Sequence, residues 1–525
     1  MADVRESVRD TARYLQHVRP IDPEEIVDYV EGEPHPAVVT RHLRDLAVEL
    51  GLVERDDGTF VPVDDTALPA PTLPVERLPE RYERLLEDWL AERYGPDWYD
   101  GASGDLLRST IRRFKADYLA GRPVEYDADV AAGYAIYHLP GYYAAMQYVL
   151  ADLFERELLS RHLRVLDVGA GTGGPALGLF DLLPDDALVE YHAVEPSAAA
   201  DVLEQLLDAT GRNVHATVHR ETAEAFEPEE IGDEAGDPRT FDDGRIEPGF
   251  DLVCCCNVLS ELADPESVLE RYLGALRADG TLLAMAPADK ETAMQLRRLE
   301  RAVEGRSIES IGGEDVPEST VTVFGPTVRL WPGETPADRG WTFDVRPDLV
   351  VPSFQRQLEA AADGEDHTPG EFENADVQFA WSALRLGGTR RIDLTLDPGL
   401  VAKMAEMDQH VTNRIDLVAA KLSHSLSGGA GGANRRGDTT DRAPNQAGGG
   451  SDGDENANPL FKISDGSERV DHYAVLTRET ALNRPLLEAG YGDVLSFEST
   501  LVLWNDDEEA YNLVVDEETV VDPVA

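Results

Sequence analysis

At 525 residues the chain is too long for one domain, and three or four are expected. Its 102 acidic residues against 47 Lys and Arg, a formal charge of −55 with only five lysines, point to solubility in concentrated salt, as in halophilic archaea, rather than to a cationic partner. That charge leaves RNA open, because molar salt screens repulsion and stacking can then carry affinity. No uninterrupted apolar stretch reaches about 18 residues and no signal-peptide pattern opens the chain, so a cytoplasmic protein without a membrane partner is expected.

Residues 1–66 predict a winged-helix-like domain. Asp22 and Pro23 start a short helix. Val39, Leu43, Leu46, Ala47 and Leu50 follow helical spacing, and two strands flank Asp56-Asp57-Gly58 as the wing. Nucleic-acid contact through Arg41 and Arg44 and a packing role suit this unit equally. After a proline-punctuated linker, residues 78–150 predict a helical cap, with Arg81–Tyr94 and Leu106–Leu119 amphipathic and Val130–Leu150 rich in tyrosine. Helically spaced tyrosines are usually core; Tyr137 and Tyr142 are the candidates for a wall of a binding site.

Residues 151–390 predict an α/β core. The apolar run from Leu163 to Val168 ends in Asp167 and a turn containing Gly169, Gly171, Gly173 and Gly174, before a helix over Ala176–Leu183. A strand that stops at glycines and restarts as a helix exposes backbone N–H groups and lets a ligand approach closely. The glycines fit a dinucleotide fingerprint as Gly169-x-Gly171-x-x-Gly174. As Asp167-x-Gly169-x-Gly171-x-Gly173 they resemble motif I of the class I S-adenosylmethionine-dependent methyltransferases. A strand over Val189–Val194 ends at Glu195, where either family places an acid for ribose hydroxyls. The run Phe250–Cys256 leads into Asn257 and a Leu-Ser-Glu-Leu phrase, which resembles methyltransferase motif IV and has no dehydrogenase counterpart. A fifth strand, Gly280–Met285, follows an Asp279-Gly280 turn. The resemblance implies a doubly wound, Rossmann-like core and S-adenosylmethionine as cofactor. Gly169, Gly171 and Gly173 would give the backbone approach beside Asp167, Glu195 would take the ribose and Asn257 would lie beside the methyl group. No catalytic residue is assigned. Glu221 and Glu224, after a strand at Val214–Val218, suit either adenine contact or solvent.

Cys254, Cys255 and Cys256 are consecutive on a strand, so their side chains alternate between faces and read as core rather than metal ligands. Glu227–Glu247 is an acidic insertion read as a solvated loop.

The helical preface, DVGAGTG, Glu195-Pro196-Ser197 and NVLSELADP together resemble the mitochondrial and bacterial small-ribosomal-subunit methyltransferase-like family. The likeness extends to a Phe-x-Gln-Arg segment at Val351–Leu358 and an aromatic strand at Asp376–Arg385, covering about 130–390. It implies methylation or assembly of the small subunit, with its ribosomal RNA or the 30S particle as partner. A non-catalytic assembly factor and a protein or small-molecule methyltransferase are the rival readings. The family's cysteine cluster before Phe-x-Gln-Arg is missing from Thr327–Val351, so no iron–sulfur cluster and no metal site are expected.

Residues 410–525 predict an OB-like barrel, with strands at Arg414–Ser425, Leu460–Ser464, Asp471–Thr477, Val494–Leu503 and Tyr511–Val515. A helix, Ala481–Ala489, follows the third strand, and a disordered insertion over 428–458 follows the first. On such barrels aromatics of strands 2 and 3 stack on bases, which nominates Phe461, Tyr473, Arg469 and Arg478.

Overall fold

The computed structural model describes residues 4–228, 231, 249–308, 319–363, 367–427 and 458–524, apart from 31, 33, 65, 67 and 70. The proposed insertion over 428–458 and most of the acidic loop at 227–247 therefore lie outside the described residues, save their edges.

The N-terminal unit comprises α1 (Val4–Leu15), a short helix capped by Asp22, α2 (Pro36–Asp45) and a hairpin of β1 (Leu52–Glu54) and β2 (Phe60–Pro62) around one apolar core. Its hairpin is docked on the α/β core. Val53 packs on Leu188, and Asn213 fixes Glu54 by accepting from its N–H at 2.7 Å and donating to its carbonyl at 3.1 Å. Arg44, a nucleic-acid candidate in sequence, is committed to a bidentate pair with Glu54 at 2.5 and 2.7 Å. Arg41 is the more exposed of the two, with Asp45 at 3.9 Å.

Three helices follow: α3 (Glu80–Tyr94), α4 (Gly101–Leu119) and the long α5 (Ala128–Glu155). α5 carries Pro140 in its interior, which removes one N–H and leaves the carbonyl four residues earlier without its helical donor. The side chain of Gln355 fills that gap, donating to Ile136 O at 2.7 Å, while Asn374 donates to Tyr137 O at 2.9 Å. Gln355 belongs to the Phe-x-Gln-Arg segment, on helix α10 introduced below, and is fully buried beside Phe354. This segment thus supplies the donor that the proline lacks.

The core alternates β3 (His162–Val168), α6 (Gly174–Phe180), β4 (Leu188–Val194), α7 (Ala199–Leu207), β5 (Val214–His219), β6 (Phe250–Cys256), α8 (Pro265–Gly274), β7 (Leu276–Pro287) and α9 (Lys290–Val303). Beyond a two-stranded ribbon come β8 (Thr322–Gly325), β9 (Asp344–Arg346), α10 (Ser353–Ala360) and β10 (Val377–Arg385). The sheet order is β5-β4-β3-β6-β7-β10-β8, with β9 also on β10; β3 to β7 run parallel and β10 is antiparallel to β7. The order reverses between β3 and β6, the switch point where such sheets bind ligands. Two details differ from the sequence reading. α6 starts and ends earlier than expected, and β7 begins at Leu276, before Asp279-Gly280, which lies where the register against β6 jumps from Phe250–Leu276 to Leu252–Thr281.

At the C-terminus β11 (Arg414–Lys421), β12 (Leu460–Ser464), β13 (His472–Leu476), the short α11 (Pro485–Glu488), β14 (Val494–Asn505), β15 (Ala510–Val515) and β16 (Val520–Pro523) follow. They pair β11-β12-β13-β15-β14 and back to β11, with β13 and β15 parallel, closing a five-stranded barrel compatible with the OB-like reading; β16 flanks β14. Of the two nominated aromatics the barrel keeps Tyr473 half-buried outside its core and takes Phe461 into it. Phe461 faces inward and is 3 % exposed, a core residue with Leu417, Ile463 and Phe497. Arg469 pairs with Glu334 at 2.6 Å and Arg478 with Glu517 at 3.1 Å.

The outer side of β12 is covered as well. Lys462, 1 % exposed, reaches Asp338 and, at 2.9 Å, Asp471, while Arg301 holds Asp338 at 2.8 Å. Trp331 donates its indole N–H to Asp465 at 2.7 Å. Buried charges persist only when paired, so the stretch Thr327–Val351 docks the barrel through ion pairs and a tryptophan. Among the described residues no helix is long and apolar enough to cross a membrane.

Candidate cofactor site

The site lies at the carboxyl ends of β3, β4 and β6. Gly169, Gly171 and Gly173 have φ of +68, +54 and +88°, a backbone that branched side chains resist. Their surroundings differ. A Cβ on Gly169 would sit 2.5 Å from the Val258 side chain, and one on Gly173 would sit 2.6 Å from Leu203. At Gly171 the nearest atom is 4.0 Å away. The outer two glycines are thus demanded by packing, and the open approach belongs to Gly171.

Glu195, at the end of β4, ties this turn to the neighbouring loop. Its carboxylate accepts from the N–H of Gly171 at 2.9 Å and from that of Ser197 at 2.9 Å, with 7 % of the residue exposed. A carboxylate has about four acceptor directions, so capacity remains for ribose hydroxyls. Asp167 is buried beneath the turn. Tyr191 donates to one of its oxygens at 2.7 Å, and the other, Oδ1, is buried without a hydrogen-bond partner. Burial, offset in part by the Tyr191 bond, pushes its carboxyl up to about 7, with Glu195 adding repulsion. Asn257, directly after β6, has φ +60°, bonds its N–H to Met285 O at 2.9 Å, and lines a small cavity with Ser260, Met285 and Thr292. The structure therefore groups Asp167, Gly169, Gly171, Gly173 and Glu195 in one constellation, with Asn257 at its β6 side. Glu221 and Glu224 are exposed after β5.

An aromatic cluster faces the same strand ends. Tyr142 stacks on His138 at 5.4 Å and 8°, and its hydroxyl lies 3.4 Å from that of Tyr134. Burial, with Lys115 adding repulsion, lowers the His138 imidazole to about 3, so it is neutral. Tyr137 instead turns to Lys115, which donates to its hydroxyl at 2.8 Å. Two tyrosines missed in the sequence meet carboxylates here: Tyr118 donates to Asp289, and Tyr126 to Glu261 at 2.9 Å. Neither belongs to the tyrosine run on α5, and Tyr126 sits in an irregular connection without periodicity, so only its aromatic character among polar neighbours marked it. Cys254, Cys255 and Cys256 are buried, and the first two are held well above the thiol range: Cys254 chiefly by its bond to Cys256 and by burial, Cys255 by burial. Among the described residues no group of three or more His, Cys, Asp or Glu is placed to hold a metal.

Sheet order and glycine turn define a class I methyltransferase-like core. Residues 166–282 match the family described as a methyltransferase domain. The flanking parts, 5–56 and 405–524, match the N-terminal and C-terminal domains of a domain of unknown function, DUF8157. No curated protein matches the sequence significantly. Solved structures with a similar fold include an S-adenosylmethionine-dependent methyltransferase from Clostridium acetobutylicum, 14% identical over 34% of this chain and 61% of that one, TM-score 0.21. The sugar N-methyltransferase KedS8 from Streptoalloteichus is 22% identical over 27% and 47%, TM-score 0.19. The plantazolicin methyltransferase BpumL, solved with SAH, is 12% identical over 42% and 65%, TM-score 0.22. This chain thus spans less than two thirds of those chains, and such likeness carries nothing about its substrate. S-adenosylmethionine is the cofactor of a methyltransferase domain of this class. The residues present fit it: open space at Gly171, an unpartnered oxygen on Asp167 beneath, and Glu195 at the adjoining strand end.

Proposed function

We propose that the chain is an S-adenosylmethionine-dependent methyltransferase, with the cofactor across the glycine turn after β3 and the acceptor at the ends of β6 and β7. The observation that carries this is the contrast among the glycines, since Gly171 alone leaves space where a ligand must pass. When bound, the cofactor supplies an activated methyl group, so the protein's tasks are alignment and exclusion of water. Glu195 fixes the turn, and the tyrosines of α4, α5 and their connection cover the strand ends. The Cys254 and Cys255 thiols are protonated and His138 is stacked inside the cluster, so none of these three serves as nucleophile.

The small ribosomal subunit and its RNA are the proposed target, on the resemblance carried by Leu259–Pro265 and by the Phe354-Gln355-Arg356 segment. The test is transfer of labelled methyl from S-adenosylmethionine to 30S particles at high potassium. Label in ribosomal RNA supports the reading. Tight binding of cofactor and particle without transfer would identify a non-catalytic assembly factor, and transfer to protein or small molecules alone would move the target away from RNA.

A further inference from the structure

The connection between α4 and α5, residues 120–127, crosses the mouth of the cofactor site. Its outer residues Ala120 to Pro123, Glu125 and Asp127 are exposed, while Val124 and Tyr126 turn inward. Both ends are pinned. At the α4 end Tyr118 donates to Asp289, which follows β7 and also caps α9. At the other end Tyr126 makes three contacts. Its carbonyl accepts from Ala198 N–H at 3.4 Å, its hydroxyl donates to Glu261 at 2.9 Å, and its ring packs edge-on against Tyr134 at 5.5 Å. Ala198 lies in the loop after β4, just beyond Glu195, and Glu261 in the loop after β6. In the sheet β3 runs between β4 and β6. Tyr126 therefore spans the two loops that flank the glycine turn of β3, over the place a cofactor must enter.

We infer that Tyr126 is the latch of a strap, residues 120–127, which opens by releasing Glu261 to admit S-adenosylmethionine and recloses over it. This rests on the methyltransferase reading above and adds a positioning residue to it. The position of Tyr126 across the two loops and the sparse fastening of the strap support the assignment. Gly121 with φ +62° marks the strap's start, Val124 is the inward-packed residue of its middle, and Arg122 folds back on Asp117 rather than forward onto the core. Near its C-terminal end one side-chain hydrogen bond to a carboxylate, one long backbone bond and the edge-on Tyr134 ring hold it. Burial of the carboxyl and repulsion from Glu195 raise Glu261, and the Tyr126 bond opposes that shift. Release of the latch therefore leaves Glu261 beside Glu195 without its donor. A ligand that occupies the space between them is what the closed strap would retain.

The test uses the full chain and S-adenosylhomocysteine as probe, with association and dissociation rates read by surface plasmon resonance in molar KCl. Hydrogen exchange of peptides covering 118–127 is followed in the free protein. Tyr126→Phe removes the latch bond and keeps the ring. A hydrogen bond to a charged acceptor is worth about 1.5–3 kcal/mol, so opening should become roughly tenfold more frequent or better. Both rates should rise by about that factor, with a smaller change in Kd and faster exchange in the strap. Glu261→Gln should act in the same direction, and the double variant should add little to Tyr126→Phe. Unchanged rates and unchanged exchange in folded Tyr126→Phe would overturn the inference. A rise in dissociation alone would also overturn it, making Tyr126 a contact rather than a latch. If the wild type does not bind the probe, the methyltransferase reading itself fails and this inference with it.

Discussion

Gly169 and Gly171 sit two residues apart in one turn, share a positive φ, and should respond to the same substitution in opposite ways. Alanine at Gly169 places Cβ 2.5 Å from Val258 with φ at +68°. The left-handed backbone costs about 1–2 kcal/mol and the forced displacement of a packed side chain about 1–3 kcal/mol, for about 2–5 kcal/mol in all. Alanine at Gly171 meets nothing closer than 4.0 Å at φ +54°. It carries the backbone cost alone, partly offset by about 0.4–1 kcal/mol from a stiffer unfolded chain, so about 1 kcal/mol net. Cofactor binding should invert that ranking, because only at Gly171 does the new methyl enter the ligand's path. Urea denaturation of the core, followed by near-ultraviolet circular dichroism, reads the first effect, and calorimetric titration with S-adenosylmethionine in molar KCl reads the second. Wild-type affinity in Gly171→Ala, or wild-type stability in Gly169→Ala, would refute the division of labour within the turn.

Lys462→Met should loosen the barrel from the core by about 3–5 kcal/mol, since Asp338 and Asp471 would lose a shared buried cation; a separate low-temperature transition in calorimetry checks this. Phe461→Ala should cost about 3–5 kcal/mol in barrel stability and leave the RNA affinity of the folded fraction unchanged, read by filter binding beside thermal melts. A folded Phe461→Ala protein with weakened RNA binding would return that ring to a ligand face. Asp167 holds its proton in the folded state, its carboxyl raised to about 7 against about 4 when unfolded. Its contribution to stability is therefore fully present below about pH 4 and declines as pH rises to about 7. Asp167→Asn should flatten that part of the stability–pH profile and raise stability at pH 8, measured by denaturant melts across pH.

Much of the core was legible because its signals are local. An apolar run, an acid and spaced glycines fix a strand-turn-helix wherever the rest of the chain goes, and the same strand spacing holds for β4, β5 and β6. The barrel strands were legible for the same reason, but their faces were not. An alternating strand fits its core in either of two phases, so Phe461 and Tyr473 were nominated together and only the structure shows that Phe461 is the core one. Arg44 looked free on its helix because its partner, Glu54, lies on the hairpin ten residues later. Gln355 was noticed as part of a phrase, while its task depends on Pro140, more than two hundred residues earlier. Asp279-Gly280 carries a turn signature and sits where β7 breaks register with β6, just before the pairing with β10 starts at Thr281. Tyr126 was overlooked because a latch has no period.

The most direct test of the central claim is calorimetric titration of the purified full chain with S-adenosylmethionine in molar potassium chloride, with Gly171→Ala as the matched control. One molecule bound per chain in the wild type, with binding lost in a control that melts within a few degrees of it, is the predicted result. A folded wild-type chain that binds no S-adenosylmethionine, or a control that binds it equally well, would contradict the account.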